Sequence, residues 1–137
     1  MKKPVFADAF YWIALANPHD AAHAKVLEFS RSERSRPIVT TDEVFTEFLA
    51  FCASDPQLRV EAAAAVRDYL DTVRLRVIPQ TRTSFLAGLE LYQARPDKGY
   101  SLTDCISMQT MRREGIVDVL TNDRHFQQEG FQALFRE

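Results

Sequence analysis

The sequence predicts an α/β domain, a three-layer sandwich in which helices cover both faces of a mostly parallel, five-stranded central sheet. The chain has 137 residues, of which 46% are hydrophobic, and this suits one domain with a well-filled core. Short apolar runs alternate with longer segments of helical spacing, as in parallel sheets with crossover helices. No internal repeat, low-complexity tract or flexible linker divides the sequence. We therefore expect residues 1–137 to form a single domain.

Three elements are predicted at the start of the sequence. Residues 5–7 form a short apolar run that ends at Asp8, which is typical of a buried strand. Residues 10–15 are apolar and aromatic, a composition that suits a short buried helix. Asp20 is placed to cap the free amides of a further helix, which we expect to run to about Ser35.

A second strand and two more helices follow. Residues 37–40 have β character. Thr41 and the two acids after it open a helix, because a hydroxyl and carboxylates suit the unpaired amides and the positive dipole of a first turn. Apolar residues continue at helical spacing to Cys52. Pro56 begins the next helix, which is rich in alanine and ends near Thr72.

The remaining elements complete the alternation. A third strand is predicted at residues 75–78. Helices are predicted at 84–93 and 103–114, with a loop at 96–99 between them. The last two strands are predicted at 117–121 and 131–135.

Charge and cysteine content narrow the classes of function. Acidic and basic residues nearly cancel to a formal net charge of -2, which weakens the case for a passive nucleic-acid binder. A nuclease is not excluded, since bound divalent cations can supply the positive charge that meets phosphate. Cys52 and Cys105 form no metal-binding or disulfide motif. With no apolar run approaching about 20 residues, we expect a cytoplasmic protein without a membrane span.

Four acidic residues are predicted to converge at one edge of the sheet. Asp8 follows the first strand and Asp123 follows the fourth, so parallel strands bring both to the same edge. Asp104 lies in the first turn of a helix that begins at that edge. Glu47 sits in the helix after the second strand, at the margin of its apolar face.

Each acid also has a purely structural explanation. Asp104 can complete a capping box with Ser101, Asp123 can form an Asx-turn, Asp8 can cap the next helix, and Glu47 can be a solvated helix acid. Together, however, four crowded carboxylates would repel one another and raise their pKa values unless cations neutralise them. A hard divalent metal is the simplest neutraliser, because Mg²⁺ or Mn²⁺ binds carboxylate oxygens and water.

These acids lie in four sequence blocks that resemble the PIN-domain ribonucleases, and most of all the VapC-type toxins of bacterial toxin–antitoxin pairs. The blocks, in order, are VFADAFYWIALANPHDAAHA, TTDEVFTEFL, SLTDCISMQTMRREGI and VLTNDRHF. The resemblance covers essentially the whole chain. It implies a PIN-like fold, a carboxylate cluster that binds Mg²⁺ or Mn²⁺, and cleavage of RNA.

The resemblance also implies roles for individual residues. The family's catalytic, metal-binding acids fall on Asp8, Glu47, Asp104 and Asp123, and Thr121 falls on its hydroxyl position beside the last acid. One position departs from the pattern, because many relatives have Thr or Ser directly after the first aspartate where this chain has Ala9.

The expected function is therefore that of a metal-dependent endoribonuclease that hydrolyses phosphodiester bonds. Its expected partners are an RNA substrate, a cognate antitoxin that covers the acids, and a second copy in a homodimer. Two alternatives stay open. One is a PIN-domain nuclease of RNA processing with no antitoxin, and the other is a catalytically silent module that binds RNA or protein.

Other polar residues suggest further sites. His19 and His23 have the spacing of two zinc ligands on a helix but lack a third ligand. His125 lies near Asp123 and is a candidate for contact with substrate, or it caps the loop. Three arginines can attract an RNA backbone or simply be solvated: Arg112, Arg113 and Arg124.

Aromatic residues cluster after the first strand. Phe10, Tyr11 and Trp12 are candidates for stacking on unpaired bases. Their position among other apolar residues favours packing in the core or against a second protein. We expect Tyr11 and Trp12 to contribute to the surface that meets the antitoxin or the second copy.

Overall fold

The computed structural model describes residues 2–136, which fold around a five-stranded sheet whose strands are all parallel. The strands lie in the order β3-β2-β1-β4-β5, so the first strand is the central one. Phe6 of that strand is paired with Val39 on one side and Val119 on the other. The strand bounds are β1 Val5–Ala7, β2 Ile38–Thr41, β3 Leu75–Ile78, β4 Asp118–Leu120 and β5 Gln132–Ala133.

Helices cover both faces of this sheet, as the sequence predicts. The helix beginning at Asp42 is capped by Thr41, whose Oγ1 accepts a hydrogen bond from the Val44 amide. The helix ending at Glu114 stops because Gly115 adopts a left-handed conformation, with φ of 69°. The helix bounds are α1 Ala9–Ala16, α2 His23–Ser32, α3 Asp42–Cys52, α4 Pro56–Leu70, α5 Arg82–Ala94, α6 Leu102–Glu114 and α7 Arg124–Gln128.

Helices α5 and α6 pack at very short range. A Cβ atom built on Gly88 of α5 would lie 2.3 Å from Ile106 Cγ1 and 3.1 Å from the Ile106 Cα in α6. The absence of a side chain at Gly88 therefore lets the two helices approach. This contact holds α6, which carries Asp104, against its neighbour.

The core centres on the strands β1 and β4 and on an aromatic cluster beside them. Tyr11 and Trp12 are only 2% and 3% exposed, and the Trp12 ring packs on Phe45 and Tyr69. The Trp12 indole nitrogen donates a hydrogen bond to Thr40 Oγ1. The expectation that Tyr11 and Trp12 meet a partner is therefore wrong, because these rings fill the chain's own core.

The second helix begins later than the sequence predicts. Asp20 Oδ1 accepts a hydrogen bond from the Ala22 amide, and the Asp20 carbonyl accepts one from the His23 amide, so the acid closes a turn before α2. The helix also ends at Ser32 rather than near Ser35.

The zinc hypothesis does not fit this geometry. The His23 ring Nδ1 lies 2.7 Å from the Ala14 carbonyl oxygen, and His19 precedes the helix, so the two histidines lack the helical spacing of a ligand pair.

The final strand is also shorter than predicted. Regular strand pairing is limited to Gln132–Ala133, although the Leu134 and Phe135 amides still donate to the carbonyls of Val119 and Thr121. Within residues 2–136, none of the helices has the length and apolar character needed to cross a membrane.

Candidate active site

The four predicted acids line one open cavity of about 540 Å³ at the carboxyl edge of the sheet. Asp8 directly follows β1 and Asp123 lies three residues after β4. These strands are parallel neighbours, so their ends meet at the same edge. Helix α6 begins there and brings Asp104, and α3 contributes Glu47. The structure therefore brings together all four acids that were predicted from the sequence.

Asp8 is buried, and its role is not that of a helix cap. Its side chain makes no capping hydrogen bond to α1. Oδ2 accepts a hydrogen bond of 3.0 Å from the Thr121 hydroxyl, whereas Oδ1 is buried and has no hydrogen-bond partner among residues 2–136. Burial, followed by the nearby Asp104 carboxylate, raises the pKa of Asp8 to about 7.

Thr121 links two of the acids. Besides donating to Asp8, its fully buried hydroxyl oxygen accepts a hydrogen bond of 3.2 Å from the Asp123 amide. The Thr121 carbonyl accepts a bond from the Phe135 amide, which ties this segment to the chain after β5. One hydroxyl thus orients the Asp8 carboxylate and the loop that carries Asp123.

Asp104 has the predicted structural role of a capping residue. Its Oδ2 accepts a hydrogen bond from the Ser101 amide, while Ser101 Oγ accepts one from the Asp104 amide, which completes a capping box. Burial is the largest influence that raises the pKa of Asp104, and the Asp123 carboxylate adds to it, against the hydrogen bonds from Ser101. The capping role fixes the carboxylate at the cavity and does not remove it from the acid cluster.

Glu47 and Asp123 complete the cluster. Glu47 is half-buried in α3, and the pKa of this carboxyl is raised by burial and then by Asp104. Asp123 Oδ1 accepts a hydrogen bond of 2.9 Å from the His125 amide, as an Asx-turn does. The structural explanations offered for Asp104 and Asp123 thus hold, whereas the one for Asp8 does not.

His125 is closer to the acids than the sequence indicates. Candidate ligand atoms of Asp104, Asp123 and His125 all lie within 4.8 Å of one another. The His125 ring Nδ1 is 3.3 Å from Asp123 Oδ1 but without hydrogen-bond geometry, and it has no other partner among residues 2–136. The motif places His125 near Asp123, but its distance to Asp104 depends on how α6 meets β4.

An ion cluster centred on the buried carboxylate of Glu129 lies next to His125. Glu129, whose side chain is 5% exposed, accepts hydrogen bonds from Arg95, Arg112 and Tyr100. The Tyr100 ring packs edge-on against His125, with ring centroids 5.2 Å apart. Burial alone would raise the pKa of Glu129, but the hydrogen bonds from Arg112, Arg95 and Tyr100 lower it to about 2.

Of the three arginines that the sequence suggested, Arg124 lines the cavity and the other two do not. Arg112 pairs with Glu129 and Arg113 with Glu114, so both are held in ion pairs. Arg124 lines the cavity, as does Arg136, which was not among the residues predicted from the sequence. No motif marks Arg136. It reaches the cavity because the segment after β5 runs beside Thr121.

The residues fit a hard divalent cation. The bare Oδ1 of Asp8 is a buried acceptor that lacks a partner among residues 2–136, and a metal ion satisfies such an oxygen without a proton. The cavity also offers the carboxylate oxygens of the other acids, which Mg²⁺ and Mn²⁺ prefer. Burial, and after it repulsion from neighbouring carboxylates, raises the pKa values of Asp8, Glu47 and Asp104, and a bound cation would favour their charged forms.

Comparison with known proteins agrees with this geometry. A family model described as PIN domain matches residues 5–131. The crystal structure of VapC20 from Mycobacterium tuberculosis, a Sarcin-Ricin loop cleaving toxin, is 26% identical with a TM-score of 0.77. The match covers 93% of this chain and 95% of that chain.

A second solved structure shares the fold at lower identity. VapBC2 from Rickettsia felis, bound to a DNA fragment from its promoter, is 15% identical with a TM-score of 0.66, covering 95% of this chain and 96% of that one. No curated protein matches the sequence significantly.

Proposed function

The chain belongs to the PIN domain family, and we propose that it is a metal-dependent endoribonuclease that acts as the toxin of a toxin–antitoxin pair. One observation carries the catalytic part of this proposal. Asp8 lines an open cavity together with three further acids, and its carboxylate has a buried oxygen, Oδ1, without a hydrogen-bond partner among residues 2–136. Cleavage of RNA is supported by the likeness to VapC20 along nearly the full length of both chains.

Each residue has a defined part in the proposed reaction. Asp8, Asp104 and Asp123 would hold Mg²⁺ or Mn²⁺, and Glu47 would bind the same ion or orient the attacking water. When bound, such a cation lowers the pKa of a water ligand and stabilises negative charge on the phosphoryl oxygens. Thr121 donates its hydrogen bond to Asp8 Oδ2 and so fixes the orientation of the carboxylate, which leaves Oδ1 as the oxygen that would bind the cation.

The antitoxin is the proposed regulator of this site. An apolar groove of about 390 Å³ lies beside the acid cavity, and Glu47 lines both. Phe85 and Ile106 supply apolar walls to the groove, and Glu43 adds a second acid. An antitoxin segment with apolar side chains in the groove and a cationic side chain at Glu47 would compete with metal and substrate.

A homodimer is part of the same proposal, although its surface differs from the one expected from the sequence. Since Tyr11 and Trp12 are buried, the contact must use other residues. Helix α5 exposes Leu86 and Tyr92, which are 52% and 50% exposed, and these side chains supply apolar area for a second copy. Measuring the mass of the purified chain in solution tests this point, and a strictly monomeric chain would contradict it.

Cleavage of total RNA by the purified chain tests the enzyme. We expect cleavage with Mg²⁺ or Mn²⁺ and none in excess EDTA. Asp104→Asn should abolish cleavage and keep the fold, because the amide oxygen can still accept the Ser101 hydrogen bond. Asp97→Asn is the matched control, since Asp97 lies in an exposed loop. Cleavage that persists in EDTA, or an active Asp104→Asn variant, would contradict the proposal.

Metal binding has a readout that does not depend on activity. Mn²⁺ should raise the melting temperature of the wild-type chain and of Asp97→Asn, and raise it much less for Asp104→Asn. An equal increase in all three would place the metal elsewhere.

The biological role needs a test in cells. Induced expression of the chain, followed by mapping of new RNA 5′ ends, should show cuts that are absent with Asp104→Asn. Where a small reading frame adjoins the gene, co-expression of its product should suppress these cuts. Cuts that no neighbouring product suppresses would favour a nuclease of RNA processing instead.

A further inference from the structure

The acid cavity is lined by side chains of both charges. Besides Asp8, Glu47, Asp104 and Asp123, two exposed arginines line it, Arg124 and Arg136. Both arginines flank the loop that carries Asp123. Arg124 is the next residue in the chain, and Arg136 Nη1 donates a hydrogen bond of 3.2 Å to the Asn122 carbonyl.

Neither arginine is used to neutralise the acids. Among residues 2–136, Arg124 forms no side-chain hydrogen bond or ion pair, and the Arg136 side chain bonds only to the Asn122 carbonyl. Elsewhere the chain pairs arginines with carboxylates, as in Arg36 with Asp118. Two guanidinium groups that share a cavity with four carboxylates, and pair with none of them, remain available for an anion that is not part of the protein.

The chemistry of the proposed substrate supplies that anion. An RNA strand carries a phosphate at every nucleotide, so a phosphate at the acids has neighbours along the backbone. Those neighbours have no access to a cation held at the acids, and planar guanidinium groups bind phosphate through paired N–H donors. The hydrogen bond to Asn122 restricts Arg136, which lowers the entropy lost when it binds.

We propose that Arg124 and Arg136 bind the backbone phosphates next to the bond that is cut, and so position the RNA strand over the acids. This proposal rests on the nuclease function proposed above. The two arginines are positioning residues, and the four acids remain the catalytic ones.

The experiment compares Arg124→Gln and Arg136→Gln with Arg34→Gln. Arg34 is an exposed arginine between α2 and β2, at the edge of the sheet opposite the cavity. Arg34→Gln therefore removes the same charge as the two cavity substitutions but leaves the cavity unchanged. Binding is measured by fluorescence anisotropy with a labelled single-stranded RNA of mixed sequence, in the inactive Asp104→Asn background with Mg²⁺ present. Cleavage of the same RNA by the otherwise wild-type enzyme gives kcat and KM.

Each cavity substitution should weaken RNA binding roughly fivefold or more, and Arg34→Gln should change it little. The slope of log affinity against log salt should fall by about 0.7 for each phosphate of the single strand that a variant no longer binds. KM should rise more than kcat falls, and Arg124→Lys should bind RNA more tightly than Arg124→Gln. Circular dichroism should show unchanged folds, because both side chains are exposed.

The outcomes separate this proposal from the one on which it rests. A wild-type chain that cuts RNA in a metal-dependent way, with cavity variants that match Arg34→Gln in affinity and salt slope, overturns the role of the arginines alone. Unchanged binding in only one variant overturns the assignment of that arginine. A wild-type chain that neither binds nor cuts RNA overturns both proposals.

Discussion

Asp8→Asn should make the metal-free chain more stable at alkaline pH while abolishing cleavage. A rise in the pKa of Asp8 from 3.8 to about 7 means that ionising this buried carboxyl costs about 4 kcal/mol more in the folded chain than in the unfolded one, at about 1.4 kcal/mol per pH unit. The folded state holds the proton more tightly. The free energy of unfolding therefore falls as pH rises from 3.8 to 7, and the full cost is present above 7.

The substitution removes the charge and hence its pH dependence. The introduced amide keeps an oxygen that can accept the Thr121 hydroxyl, so the main structural contact survives. Any packing cost of the amide is the same at every pH. Less than half of the ionisation cost is already present at pH 5, so the gain in stability from Asp8→Asn should be about 2–3 kcal/mol larger at pH 8 than at pH 5.

Urea denaturation in EDTA at both pH values measures this difference. Asp97→Asn is the control, because the Asp97 side chain is 73% exposed and should show no such pH-dependent gain. A change in stability from Asp8→Asn that is equal at pH 5 and pH 8 would refute the claim that burial and the Asp104 carboxylate make ionisation of Asp8 unfavourable in the folded chain.

Three other substitutions test separate contacts. Thr121→Val removes the buried hydroxyl that bonds to Asp8 and should lower the free energy of unfolding by about 1–3 kcal/mol, measured by urea denaturation, with Thr121→Ser much closer to wild type. Glu129→Gln should lower the free energy of unfolding by about 3 kcal/mol at pH 7, because a carboxyl pKa near 2 in the folded chain stabilises that chain above pH 4.5. The loss should shrink as the pH falls toward 2, and a loss that urea denaturation finds constant between pH 7 and pH 2 would contradict this. Gly88→Ala forces a Cβ against Ile106 and should cost about 1–3 kcal/mol; an unchanged melting temperature would mean that α5 and α6 separate easily.

The convergence of the acids could be predicted because it depends on local patterns and one rule of topology. Apolar runs that end at Asp8 and shortly before Asp123 identify strand ends, and parallel strands place their carboxyl ends at one edge. The capping box of Ser101 and Asp104 is a local motif that the structure confirms. These features need no knowledge of the strand order.

Other features depend on contacts between distant segments and could not be predicted. The strand order places β1 between β2 and β4, which explains why Tyr11 and Trp12, just after β1, are covered by the chain itself. Arg136 reaches the cavity because the segment after β5 runs beside the loop after β4, where the Phe135 amide bonds to the Thr121 carbonyl and Arg136 bonds to the Asn122 carbonyl. Helix α2 starts late because the Asp20 side chain can either cap a helix or close a turn, and in the structure it accepts the Ala22 amide and closes a turn.

The hydrogen bond between Thr121 and Asp8 joins residues 113 positions apart, which bears on when the protein can act. Contacts between such distant residues form late in folding, because a long loop must close first. On a ribosome, Asp8 emerges long before its partners, and β1 lacks β4 until the segment that contains Thr121 is synthesised. An unfinished or truncated chain that lacks this segment has only part of the acid cluster, so the proposed RNA cleavage begins only after the segment with Thr121 and Asp123 has been translated.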